Sequence, residues 1–355
     1  MSEPSYSTVV GHLLKASEPV RQLSGGGCVA VTLAAGRVVA MAFSSDGPNL
    51  MWSNPVLHNT QLVSSNPEKL VGGFGGDRLW YGPELDYHWD GVPDWNTFAN
   101  YKPPLATDPG AYQFVKQDLQ SITLYTKDEL PVHGADRRVG FEVNRTIALA
   151  EPPLPKSHAL MRDIEYVGIE TSHALKITEG NGVVDLWHLL QVPVGSVLIV
   201  PIKRDGNKER AKALSYGLPG GWVESSDKIL WRYGGEAKAK LGLSAAALTG
   251  RSAVVQKLED GRWCMLLREF PVDLNARYGD HPYAVLRSDQ AFQAWDGFGF
   301  GEMEFHSPLA DAEQGPRELQ EKDRLWAFGG PPKAIQGLAT QLLGIEVGDL
   351  IFDDI

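Results

Sequence analysis

Residues 183–202 read VVDLWHLLQVPVGSVLIVPI. Two short runs rich in Val, Leu and Ile flank Pro193 and Gly195, a pattern of strand, turn and strand. The pattern recurs along the whole chain. Its 38 Gly and 23 Pro supply about a sixth of the 355 residues and leave short apolar segments between them. Besides Val183 to Leu190 and Ser196 to Ile202, such segments run over Arg37 to Phe43, Ser121 to Tyr125 and Val139 to Leu149. Ala174 to Thr178, Ala253 to Gln256 and Trp263 to Glu269 complete the set. Long helices do not alternate with these strands, which argues against a doubly wound fold and for a mainly β chain. Helical spacing is confined to Ser7 to Leu14 and to Lys333 to Leu343, where Ile335, Leu338, Ala339 and Leu342 follow the i, i+3, i+4, i+7 rule between Pro332 and Gly344.

Composition narrows the function. Hydrophobic residues make up 43% and charged residues 22%, the balance of an ordinary globular protein. A formal net charge of -11 opposes the phosphate backbone and anionic lipid, so neither nucleic acid nor a membrane is an expected partner. No basic and apolar leader opens the chain and no run of about 18 apolar residues occurs, so a cytoplasmic address is expected. Cys28 and Cys264 are read as buried thiols without a disulfide. The triplet Asn144-Arg145-Thr146 would matter only in a secreted protein.

Three stretches carry chemistry. In GGFGGDRLWYGPE, Gly72 to Glu84, the glycines permit close backbone approach, and Trp80 and Tyr81 offer flat faces of the kind that stack on sugars. It is no dinucleotide fingerprint, because the G-x-G-x-x-G spacing fails at Arg78. In GEMEFHSPL, Gly301 to Leu309, strand alternation puts Glu302, Glu304 and His306 on one face and Met303 and Phe305 on the other. The third is Asp185 to Pro201, with a single His188 inside an apolar strand. LDYHWDGVPDWN, Leu85 to Asn96, packs aromatics and carboxylates into a loop that either rims a cleft or folds on itself. The DRLW string at Asp323 to Trp326 echoes Asp77 to Trp80, too briefly to be a repeat.

The run GRVVAMAFSSDGPNLMWSNP from Gly36, followed by GGFGGDRLWYGPE, resembles the N-terminal part of the galactose-mutarotase-like superfamily, in particular its GGDRxWxxPE branches. That resemblance implies a large antiparallel β-sandwich with a few short helices, spanning 27–355 as one domain after an N-terminal extension, 1–26, with a short helix. It nominates Arg78 for the sugar site, with Asp77, Trp80 and Glu84 beside it. Through the second stretch it implies that His188 protonates the ring oxygen, with His173 as the fallback. Through the third it implies that Glu304 is the base removing the anomeric hydroxyl proton, with Glu302 second and His306 on the same face. Around the central His the chain reads Leu186-Trp187-His188-Leu189, where mutarotases carry Asn-His-x-Tyr-Phe-Asn-Leu.

No H-E-x-x-H, EF-hand, P-loop or G-x-S-x-G motif is present, and no metal or other cofactor is expected. The reading is therefore an aldose 1-epimerase-like isomerase acting on a small sugar or sugar derivative through a Glu304/His188 acid–base pair. Two alternatives stay open: a glycoside-cleaving or eliminating enzyme on the same fold, and a sugar-binding or regulatory module without chemistry.

Overall fold

A computed structural model describes residues 3–58, 73–95, 97–203, 212–214, 221–279 and 290–347. All strand pairs are antiparallel and form two sheets. The first runs in the order β1 (Val20–Ser24), β2 (Cys28–Thr32), β3 (Val38–Ala42), β4 (Asp77–Gly82), β9 (Val183–Pro193), β18 (Phe300–His306), β17 (Gln290–Gly297), β14 (Ala239–Ser244) and β11 (Lys212–Leu214). A short β19 (Ala310–Asp311) also pairs with β9. The second runs β12 (Trp222–Glu224), β13 (Lys228–Arg232), β10 (Val197–Pro201), β15 (Arg251–Lys257), β16 (Trp263–Glu269), β20 (Glu318–Gly330), β8 (Glu165–Glu179), β7 (Arg138–Leu149), β6 (Ser121–Pro131) and β5 (Gln113–Gln117). The expected mainly β sandwich is borne out, and each segment read as a strand lies on one.

The two sheets bury their facing sides against each other. Leu190, Met303, Phe305 and Phe292 of the first sheet meet Leu198, Val254 and Leu266 of the second in one apolar core. β6 and β7 alternate core-facing and water-facing residues, as a sheet with one wet side does. Strands β4, β9, β17 and β18 differ: nearly every residue is buried, so both of their faces are covered. What covers the second face builds the cleft described below.

Three helices finish the shell. α1 (Tyr6–Lys15) has Ser5 as its N-cap, accepting from the Thr8 N–H at 3.2 Å, and lays Tyr6, Val9, Val10 and Leu13 against the β1–β3 edge. α2 is one turn, Glu84–Tyr87. α3 (Pro332–Leu343) buries Ile335, Leu338, Ala339 and Leu342 on the outer face of the second sheet, with Gly344 left-handed at φ 69° as its C-cap. Among the described residues no helix is long and apolar enough to cross a membrane. Cys264 is buried, and burial pushes its thiol up to about 12; Cys28, expected to be buried, is half-buried at the start of β2.

Candidate functional site

β4 reaches the middle of the first sheet only because glycines precede it. Gly75 (φ 90°) and Gly76 (φ 79°) are left-handed, and a Cβ would stand 2.1 Å from the Trp52 carbonyl oxygen in one case and 2.2 Å from that of Val38 in the other. Past them, register decides which side chains share a face. Arg78 lies opposite Leu189 and Trp80 opposite Trp187. Glu304 also pairs with Leu189, and Glu302 and Lys240 both pair with Trp295. Residues paired across antiparallel strands point the same way, so these side chains converge on the side of the sheet away from the core. There they floor a 480 Å³ cleft, within the size range of small-molecule sites.

The floor carries two groups of paired charges, one around Arg78 and one around Lys240. The Arg78 guanidinium donates to Glu302 Oε1 at 2.7 Å and lies 3.7 Å from the Trp80 ring centroid. Asp108 Oδ2 accepts from Arg37 at 2.9 Å and from Trp80 Nε1 at 3.2 Å. Lys240 Nζ donates to Glu84 Oε2 at 3.1 Å and stands 3.5 Å from Glu304 Oε2. That oxygen also accepts from Trp187 Nε1 at 2.8 Å, while Glu304 Oε1 has no hydrogen-bond partner among the described residues. Burial pushes the Glu304 carboxyl up to about 7 against the pull of Lys240, and Glu302 adds to the rise.

Arg78, Trp80, Glu84, Glu302 and Glu304 all line this cleft. His306 shares their strand face but lies beneath Trp187, its ring stacked at 5.4 Å and its Nδ1 3.3 Å from Asp185 Oδ1. His188 does not face Glu304. Its partner in register is Phe305, and it points between the sheets, stacked on that ring at 4.0 Å with Nε2 2.5 Å from Glu321 Oε1. The expected Glu304/His188 pair is therefore not formed, because Glu304 is in register with the odd-numbered side of β9. His173 lies in the same interior, its ring centroid 4.8 Å from that of His188. Asp77 joins them there, bonded to Arg268 and 3.5 Å from Arg145, while Arg268 also donates to Asp323 at 2.6 Å.

His173, His188 and Glu321 bring ligand-type atoms within 4.8 Å of one another. Two atoms each about 2.0–2.2 Å from a tetrahedral ion stand more than 3 Å apart, so the 2.5 Å His188–Glu321 contact is a direct hydrogen bond rather than two ligands of one ion. Burial pushes both imidazoles down, as do the Arg145 and Arg268 charges, and burial pushes the Glu321 carboxyl up.

Sequence reading missed Lys240, Trp187 and Asp108. The signal for Lys240 was the alternation of lysines with apolar residues over Ala237 to Leu241; that for Trp187 was its place beside the chosen His. The aromatic loop does both things expected of it. Trp89 is fully buried and donates to Glu84 Oε1 at 3.1 Å, whereas Trp95 lines the cleft. Asn96 and Gly72 lie outside the described residues.

The profile of a family of unknown function, DUF6786, matches residues 7–258. No curated protein matches the sequence. Among solved structures the chain is similar to a galactose mutarotase-like protein from Lactobacillus casei, at 8% identity and TM-score 0.49, over 88% of this chain and 99% of that one. An aldose epimerase homologue from C. elegans gives 9% identity and TM-score 0.44, over 88% and 99%. A galactose 1-epimerase from Lactobacillus acidophilus gives 10% identity and TM-score 0.42, over 87% and 94%.

Proposed function

The chain belongs to the family of unknown function DUF6786, and we propose that it binds a monosaccharide or sugar derivative in this cleft and interconverts its anomers. One observation carries the reading. In a cleft walled by aromatic rings, Glu304 has one oxygen held by Trp187 and Lys240, the other without a partner among the described residues, and a pKa of about 7. A base with its pKa near the working pH is suited to taking and returning a proton.

In this reading Glu304 Oε1 takes the proton of the anomeric hydroxyl while the Lys240 ammonium gives one to the ring oxygen. The C1–ring-oxygen bond breaks and C1 becomes a planar carbonyl carbon. Rotation about the bond next to C1 presents its other face to the former ring oxygen. Closure then reverses both proton transfers, so nothing is consumed. The Arg78–Glu302 pair and Asp108 hold the remaining hydroxyls, and aromatic faces cover the C–H side of the ring. Lys240 takes the role that sequence reading gave to His188, because it is the ammonium next to Glu304.

Exchange NMR on a panel of aldoses tests this. Wild type accelerates anomer exchange of at least one sugar; Glu304→Gln lowers the rate about 10²- to 10⁴-fold while binding persists, and Lys240→Met lowers it too. Binding without acceleration of any sugar means a module without chemistry. Release of a new reducing end from a disaccharide means hydrolysis.

A further inference from the structure

The described residues include five non-glycine positions with left-handed backbone: Ser17, Ala35, Phe98, Lys238 and Phe298. Three of them meet at one place, the mouth of the cleft. The Phe98 and Phe298 rings are 5.2 Å apart, and Lys238 Nζ stands 5.8 Å from each ring centroid. Bulky side chains rarely adopt this backbone, so the three come from separate segments and are each held in an unfavourable conformation to build a single surface. Asp296 fixes two of those segments together, accepting from the Gly234 N–H at 3.1 Å and the Gly235 N–H at 2.6 Å.

Phe98 is half-buried, packed against Trp89 and Trp295, whereas Phe298 faces water. Phe298 is 43% exposed and Leu105 is 70% exposed, and both line the cleft. The cleft thus has two halves: a charged floor around Glu304 and an apolar, aromatic mouth. A single hexose is smaller than the drug-sized ligands that clefts of this volume enclose, and a hexose engaged on the floor leaves the mouth unfilled. We propose that the mouth is a second subsite, in which the exposed Phe298 ring stacks on the next ring of a reducing disaccharide whose first ring occupies the floor, with the Phe98 ring set edge-on beside it. Sugar rings offer a C–H face to aromatic side chains, and Phe298 presents such a ring at the mouth. The anomeric carbon must stay unlinked, so the second ring is attached elsewhere on the first. This rests on the sugar-binding reading above and extends it to a longer substrate.

The test is calorimetric titration with glucose, maltose, cellobiose and lactose, all of which end in a free glucose unit. Variants are Phe298→Asn, which tolerates the left-handed backbone but lacks the ring, and Phe298→Tyr, which keeps the ring. Expected are at least one disaccharide bound about tenfold tighter than glucose by wild type, a preference reduced to about twofold or less in Phe298→Asn with glucose affinity unchanged, and its retention in Phe298→Tyr. Disaccharides bound no tighter than glucose, or equal losses for glucose and disaccharide in Phe298→Asn, overturn the subsite. Anomer exchange in the same samples separates the two ideas. A disaccharide preference without exchange supports the subsite and removes the isomerase chemistry; exchange without the preference keeps the chemistry and overturns the subsite.

Discussion

Of the two oxygens of Glu304, Oε2 is held by Trp187 and Lys240 and Oε1 has no hydrogen-bond partner among the described residues, an asymmetry that a buried carboxylate tolerates only at some cost in stability. The sign follows from linkage. The folded pKa of about 7 lies above the ordinary 4.5, so the folded state binds the proton more tightly than the unfolded one does. The resulting stabilisation is complete below the unfolded pKa and disappears as pH rises through 7. Glu304→Gln, which has no proton to lose, gains stability over wild type by roughly 1–3 kcal/mol between about pH 5 and about pH 8. Urea denaturation at the two pH values measures it. That Glu302, Glu304 and His306 share a face was legible in GEMEFHSPL, because alternation within one strand is a local property. Which residue of β9 meets Glu304 was not. It depends on register between strands about a hundred residues apart, and a shift of one residue exchanges His188 for Trp187.

At the scale of the element, β4 shows how neighbouring charges take unrelated tasks. Asp77 turns inward to Arg268 and Arg145, and Arg78 turns outward to Glu302 and the cleft. Asp77→Asn leaves two buried guanidiniums short of countercharge and costs about 3–5 kcal/mol, while the sugar affinity of the protein that remains folded is unchanged. Arg78→Met weakens sugar binding about tenfold or more and lowers the melting temperature less. Thermal denaturation beside calorimetry tells the two apart. Helix α3 was legible from its apolar spacing and its Pro and Gly ends, since those signals are local. β20 was not read as a strand, because Glu321 and Asp323 occupy two of its inward positions and invert the usual pattern of apolar inside and charged outside.

The whole molecule assigns different work to the two faces of its first sheet. One face closes the sandwich through apolar packing and through a charge network in which Asp77, Arg268 and Asp323 join β4, β16 and β20. The other, covered by α2, the following aromatic loop and the β17–β18 turn, is the cleft wall. Turn spacing made the fold class legible, whereas the division into faces emerges only when strands distant in sequence pair. The claim that Glu304 acts as the base is tested most directly by the pH profile of anomer exchange, measured from about pH 5 to about pH 9 on the sugar turned over fastest. The rate is predicted to climb with pH and level off above a midpoint of about 7, with Glu304→Gln both slow and without that rise. A wild-type profile flat across this range, or the same rise persisting in Glu304→Gln, would contradict the account.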